Sequence, residues 1–134
     1  MIVYIDYKGP EYLFALQCKH GDTLSMYCGH GSGGGGSAGA KINRLQSMHF
    51  RAPNADIICS AHTHDVSDSE ILINYLNRKY QLAEKIQHFI CGWSALSSNE
   101  GYAARAYYKP LTNGQKLIHI KFEKEFIITV EKLR

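Results

Sequence analysis

Short apolar runs separated by turn residues open the chain. IVYIDY from Ile2 and YLFALQCK from Tyr12 read as two strands, with KGPE as the turn between them. DTLSMYC, from Asp22 to Cys28, reads as a third. The period then changes. Ala40, Ile42, Leu45, Met48 and Ala52 recur at the three- and four-residue steps of an amphipathic helix. Ser37 is placed to cap that helix and Pro53 to stop it. ADIICSA is a short apolar run of the kind a buried strand shows. Residues 23–61 therefore predict strand, glycine loop, helix, strand, which is half of an α/β unit with a parallel crossover.

After His64 the pattern returns to strands. SEILINYLN, QHFICGWSAL, GYAARAYY, KLIHIKFE and FIITVEKL each read as one, and TNG at Thr112–Gly114 as a hairpin turn. The stretch from Leu82 to Ile86 fits a strand or a turn of helix equally well. The expected fold class is α/β leaning to α+β: a mixed, mostly antiparallel sheet with one main crossover helix. At 134 residues, the expected organisation is a single domain over 1–134.

Composition removes several function classes. Hydrophobic residues make up 45% of the chain, as in ordinary globular proteins, and no apolar run approaches a membrane span. Met1 leads straight into IVYIDY without a basic region or a cleavage site, so a cytoplasmic protein is expected. Cys18, Cys28, Cys59 and Cys91 are widely spread and form no C-x-x-C pair, which favours reduced thiols. The net charge of +3 is a weak bias and the basic residues are scattered. Nucleic acid is then expected as a substrate at most.

The stretch CGHGSGGGGSAGAKINRL, from Cys28 to Leu45, holds seven glycines between Gly29 and Gly39. A flexible tether is one reading, but the run sits inside a folded unit, where glycine more often allows close backbone approach. A phosphate-binding P-loop is excluded. Gly34 and Gly39 have its spacing, yet Ala40 precedes Lys41, and Ile42 stands where the Mg²⁺-binding hydroxyl belongs.

Three of the seven histidines stand at strand exits: His30 after LSMYCG, and His62 and His64 after DIICSA. Two neighbouring parallel strands would bring these three imidazoles to one sheet edge, where open α/β sheets bind ligands. Histidine is the commonest transition-metal ligand, so His30, His62 and His64 are the candidate metal ligands. His20, His49, His88 and His119 read as solvated side chains. Cys28 and Cys59 lie near the same edge and read as small buried hydrophobes.

Together, HGSGGGGSAGAKINRL and ADIICSAHTHD resemble the C-terminal half of calcineurin-like metallophosphoesterases of the phage and bacterial type. Those proteins carry a His-Gly-x-Gly-Gly-Gly loop, a Gly-(Ala/Gly)-Lys-hydrophobic-Asn helix start and a Gly-His-x-His-Asp motif. GWSALSSNEGYAARAYYKPL is similar to a late segment of the same type, so the resemblance covers most of the chain. It implies the second half of a four-layer sandwich. It also implies a divalent metal (Mn, Zn or Fe), with His30 and His62 on one ion and His64 on another, and hydrolysis of a phosphoester.

The chain departs from the pattern in two ways. Ala61 stands where the family has glycine. The family's Asp-x-His, Gly-Asp-x-x-Asp and Gly-Asn-His motifs have no counterpart among the aspartates and asparagines here. The resemblance therefore implies a metal-dependent hydrolase domain that is incomplete alone, with a complementing N-terminal half polypeptide as its partner. The alternative is a non-catalytic interaction module that keeps the fold and binds one metal or none. Asn43 and Arg44 at the helix, and Arg105, read as solvated polar residues. Trp93, Tyr102, Tyr107 and Tyr108 read as core.

Overall fold

The computed structural model describes residues 2–9, 11–31, 37–61, 68–92 and 115–133. Strands β1 (Ile2–Lys8) and β2 (Glu11–Gln17) form an antiparallel hairpin, and β3 (Thr23–Gly29) continues it antiparallel to β2. Helix α1 (Ala38–Ser47) and a single 3₁₀ turn over Met48–Phe50 then lead to β4 (Ile57–Ser60). β4 runs parallel to β3, with Met26 opposite Ile57 and Gly29 opposite Ser60. The hairpin of β5 (Asp68–Leu76) and β6 (Leu82–Cys91) completes the sheet in the order β1-β2-β3-β4-β6-β5, with β6 parallel to β4. A separate antiparallel ribbon is made of β7 (Gln115–Phe122) and β8 (Phe126–Leu133). The described chain is thus an α+β fold, a mixed sheet with one helix, and three parallel strands at its centre.

The helix forms where its sequence pattern predicts. Ser37 takes an extended conformation (φ −118°, ψ 155°) and its Oγ accepts a hydrogen bond from the Ala40 amide at 3.3 Å. This satisfies one of the donors that a helix start leaves open. Leu45 faces the sheet and is buried, while Asn43 and Arg44 face outward and are exposed.

At β4 the sheet is covered on both faces, which explains the continuous apolar run of that strand. Successive side chains point to opposite faces, and both Ile57 and Ile58 are 0% exposed. Ile58, Tyr27, Phe89 and Cys91 pack with Leu45 on the helix side. Ile57, Leu24 and Ile90 pack on the other side, under Ile118, Ile120, Phe126, Ile128 and Val130 of the ribbon.

The ribbon does not reach the far end of the β5–β6 hairpin. Leu72 lies opposite Ile86, and Leu76 opposite Leu82, all on the ribbon-side face. All four are at least half exposed. Residues Leu82–Ile86, which fit strand or helix by pattern, belong to β6.

Two polar clusters fix the ends of the parallel strands opposite the candidate site. Asp56 Oδ2 accepts from the Ser25 amide at 2.7 Å and the Ser25 hydroxyl at 2.9 Å, while Oδ1 pairs with Lys85 Nζ at 2.8 Å. Gln87 is fully buried, and its Nε2 donates to the carbonyls of Ala55 (2.6 Å), Ala52 (3.3 Å) and Pro53 (3.4 Å). That leaves Oε1 to accept from His49 Nδ1 at 2.7 Å, which fixes the histidine proton on Nδ1. The turn that feeds β4 is therefore held rigidly from inside.

Among the described residues no helix is long and apolar enough to cross a membrane. GYAARAYY, TNG, Trp93, Tyr102, Arg105, Tyr107 and Tyr108 lie outside the described residues.

Candidate functional site

Strands β3, β4 and β6 end side by side, with Gly29 opposite Ser60 and Ser60 opposite Cys91. The next residues, His30, Ala61 and Gly92, therefore leave the sheet together along one edge. Gly31 turns the chain after His30 with φ +80°, a conformation that costs glycine nothing. The Gly92 amide donates to the Ser60 carbonyl at 2.5 Å. A Cβ at Gly92 would stand 3.4 Å from that same oxygen, an ordinary contact distance.

A cavity of about 380 Å³ opens at this edge between the sheet and the ribbon. His30 and Ala61 line its rim, Tyr12, Cys28 and Cys59 its sheet side, and Lys116 and Ile118 its ribbon side. His30 is exposed. His62 and His64 lie outside the described residues. The strand register accounts for the chain as far as Ala61, which emerges from β4 as His30 emerges from β3. Among the described residues no group of three or more His, Cys, Asp or Glu side chains is arranged to hold a metal ion.

The sheet side of the cavity carries a row of three polarisable groups, because Tyr12 is opposite Cys28 and Cys28 is opposite Cys59. Tyr12 and Cys59 flank Cys28 in the register and bear on its ionisation through hydrogen bonding. The bond from Cys59 is the main reason the Cys28 thiol is pushed down to about 7; burial acts against it, and the bond from Tyr12 adds to it. Cys59 moves the other way, raised first by its bond to Cys28 and then by burial. Tyr12 is raised for the same reason, chiefly by its bond to Cys28.

On the ribbon side, Lys116 is almost fully buried and pairs with Asp68 at the start of β5. A buried ammonium group needs such a partner, because its desolvation cost is otherwise uncompensated.

Three of the histidines expected to be merely solvated hold specific partners. His49 bonds to Gln87, His88 Nδ1 lies 3.0 Å from Glu70 Oε1, and His119 Nε2 lies 2.8 Å from Glu131 Oε2. His88 and His119 lie on strands, where cross-strand pairing brings a carboxylate to each; His88 faces Glu70 directly across the β5–β6 ladder.

Of the cavity residues, the sequence pattern singles out His30 but not Tyr12 or Lys116, and it reads Cys28 and Cys59 only as small hydrophobes. The available signal was positional. Cys28 lies two residues before His30, and Cys59 two residues before Ala61, so the parallel pairing that aligns the strand exits also aligns the thiols. No family model, curated protein or solved structure matches this chain.

Proposed function

We propose that this chain is the C-terminal half of a calcineurin-like metallophosphoesterase, a metal-dependent phosphoester hydrolase completed by a separate N-terminal half. The supporting observation is the β3–α1–β4 crossover. It sets His30 of the HGSGGGG segment beside Ala61, the residue that opens AHTHD, at the rim of one cavity. His30, His62 and His64 would hold the divalent cation.

The donor set fits such a group. Three neutral imidazoles suit a borderline cation and leave its positive charge uncancelled, with a position open to water or substrate. When bound, the metal supplies Lewis acidity, lowering the pKa of water and offsetting charge on phosphoryl oxygens. The chain's own residues do the rest of the positioning. Gly31 turns the chain after His30, and Lys116 sets a cationic group in the cavity wall. No carboxylate lines the cavity among the described residues, since the nearby Asp68 is engaged by Lys116. In this reading the N-terminal half supplies the bridging carboxylate. The exposed face of Leu72, Leu76, Leu82 and Ile86 is unused apolar surface that such a partner would bury.

Assay of the purified chain with Mn²⁺ and an aryl phosphodiester tests this. Turnover should be absent from the chain alone and should appear when a polypeptide carrying the Asp-x-His and Gly-Asn-His motifs is added. Turnover by the isolated chain refutes the need for a second half. Silence in both conditions removes the hydrolase and leaves a binding module, the reading that the same exposed apolar face would then support.

A further inference from the structure

We propose that Cys28 and Cys59 form a reversible disulfide across the β3–β4 ladder, which makes the sheet side of the cavity a modification site for small-molecule disulfides. The inference stands on strand register and does not depend on the phosphoesterase reading.

The two residues are direct partners in the parallel register. Neighbouring strands lie about 4.8 Å apart, and disulfides bridge Cα separations of roughly 4.4–6.8 Å. Both side chains project to the same, ribbon-side face and line the open cavity. No other pairing of the four free cysteines has this geometry. Cys91 is opposite Ser60, one residue out of step with Cys59, and packs on the helix side of the sheet. Cys18 lies beyond β2, where its thiol contacts Asp22 Oδ2 at 3.8 Å.

The chemistry is thiol–disulfide exchange with a low-molecular-weight disulfide such as oxidised glutathione. Cys28 Sγ attacks one sulfur of the reagent, forming a mixed disulfide and releasing one glutathione. Cys59 Sγ then attacks the Cys28 sulfur of that mixed disulfide and releases the second. The two protein thiols lose two protons and two electrons, and two glutathione thiols gain them. Tyr12 borders Cys28, and Lys116, paired with Asp68, lies near Cys59, so the resolving step occurs inside a polar wall.

The bond has a structural consequence. In-register positions on parallel strands hold their Cβ atoms about a strand spacing apart, wider than the ~3.8 Å of a relaxed disulfide. Closing it draws β3 and β4 together one residue before Gly29 and Ser60, directly beneath His30 and Ala61. A bond formed against that spacing is readily reduced, as labile disulfides are.

The test uses the full chain, equilibrated across a range of oxidised to reduced glutathione, quenched by alkylation and mapped by mass spectrometry. Under oxidising ratios the intact mass should fall by two hydrogens. Peptides containing Cys28 and Cys59 should be linked, with Cys18 and Cys91 still alkylated, and dithiothreitol should reverse the link. Cys59→Ser should trap one glutathione on Cys28. Four alkylated thiols at every ratio, a lasting glutathione adduct on the wild type, or a bridge that uses Cys18 or Cys91 overturns the proposal. The wild-type map decides it without the variant.

Discussion

Replacing Gln87 with leucine isolates the internal brace beneath the candidate site. The substitution keeps the buried volume close to constant but removes two short hydrogen bonds, to the Ala55 carbonyl (2.6 Å) and from His49 Nδ1 (2.7 Å). Each is worth about 1 kcal/mol net, and the stranded carbonyl adds about 1–3 kcal/mol. The apolar side chain recovers about 1–2 kcal/mol through burial. The expected net loss is about 2 kcal/mol. With a urea m-value of roughly 2 kcal/mol/M, the unfolding midpoint should fall by about 1 M at unchanged m. His49→Ala should cost about 1 kcal/mol, and the double variant should fall short of the sum because the two side chains share a bond. Equilibrium urea unfolding followed by circular dichroism reads all three. A Gln87→Leu midpoint within about 0.2 M of wild type would refute the reasoning, because the buried carbonyl would then be satisfied by some other donor.

Other perturbations follow from single residues. Tyr80 is exposed in the β5–β6 turn with φ +59°, so Tyr80→Gly should raise stability by about 0.5–1 kcal/mol; a loss in the same unfolding assay would contradict the backbone argument. Among the described residues the buried Tyr27 hydroxyl makes no hydrogen bond, so Tyr27→Phe should hold or raise stability by up to about 1 kcal/mol, and a drop of that size would show that the hydroxyl is bonded. In metal-free protein, alkylation of Cys28 by iodoacetamide should rise with pH through a midpoint near 7. Cys59→Ala removes the main cause of that lowering and should move the midpoint up toward about 8.5, whereas an unmoved midpoint would exclude the Cys59 bond as the cause.

Much of the fold was legible because local pattern and tertiary environment agree. Ser37 caps where a serine before a helical apolar series should, and β4 is buried on both faces as its unbroken apolar run implies. The start of β6 was not legible for a physical reason. Leu82 and Ile86 are spaced as on one face of a helix, yet they point to sheet surface that the ribbon leaves bare, so burial does not sharpen the alternation of a strand.

The site was legible only in part. His30 stood out because it ends a strand before glycines. Tyr12, Lys116 and the Cys28–Cys59 pair depend on register between strands distant in sequence, and a single sequence does not print register. Gln87 illustrates the same point. A glutamine flanked by apolar residues gives no sign that three carbonyls from the Ala52–Ala55 turn will converge on its amide.

The most direct test of the proposed site is metal stoichiometry. Wild-type chain and the His30→Ala, His62→Ala and His64→Ala variants, each shown to be folded by circular dichroism, would be loaded with Zn²⁺ or Mn²⁺, desalted and analysed by elemental mass spectrometry. The account predicts bound metal in the wild type and a marked loss in each variant. Equal metal content in all four proteins, or none in any, would contradict it.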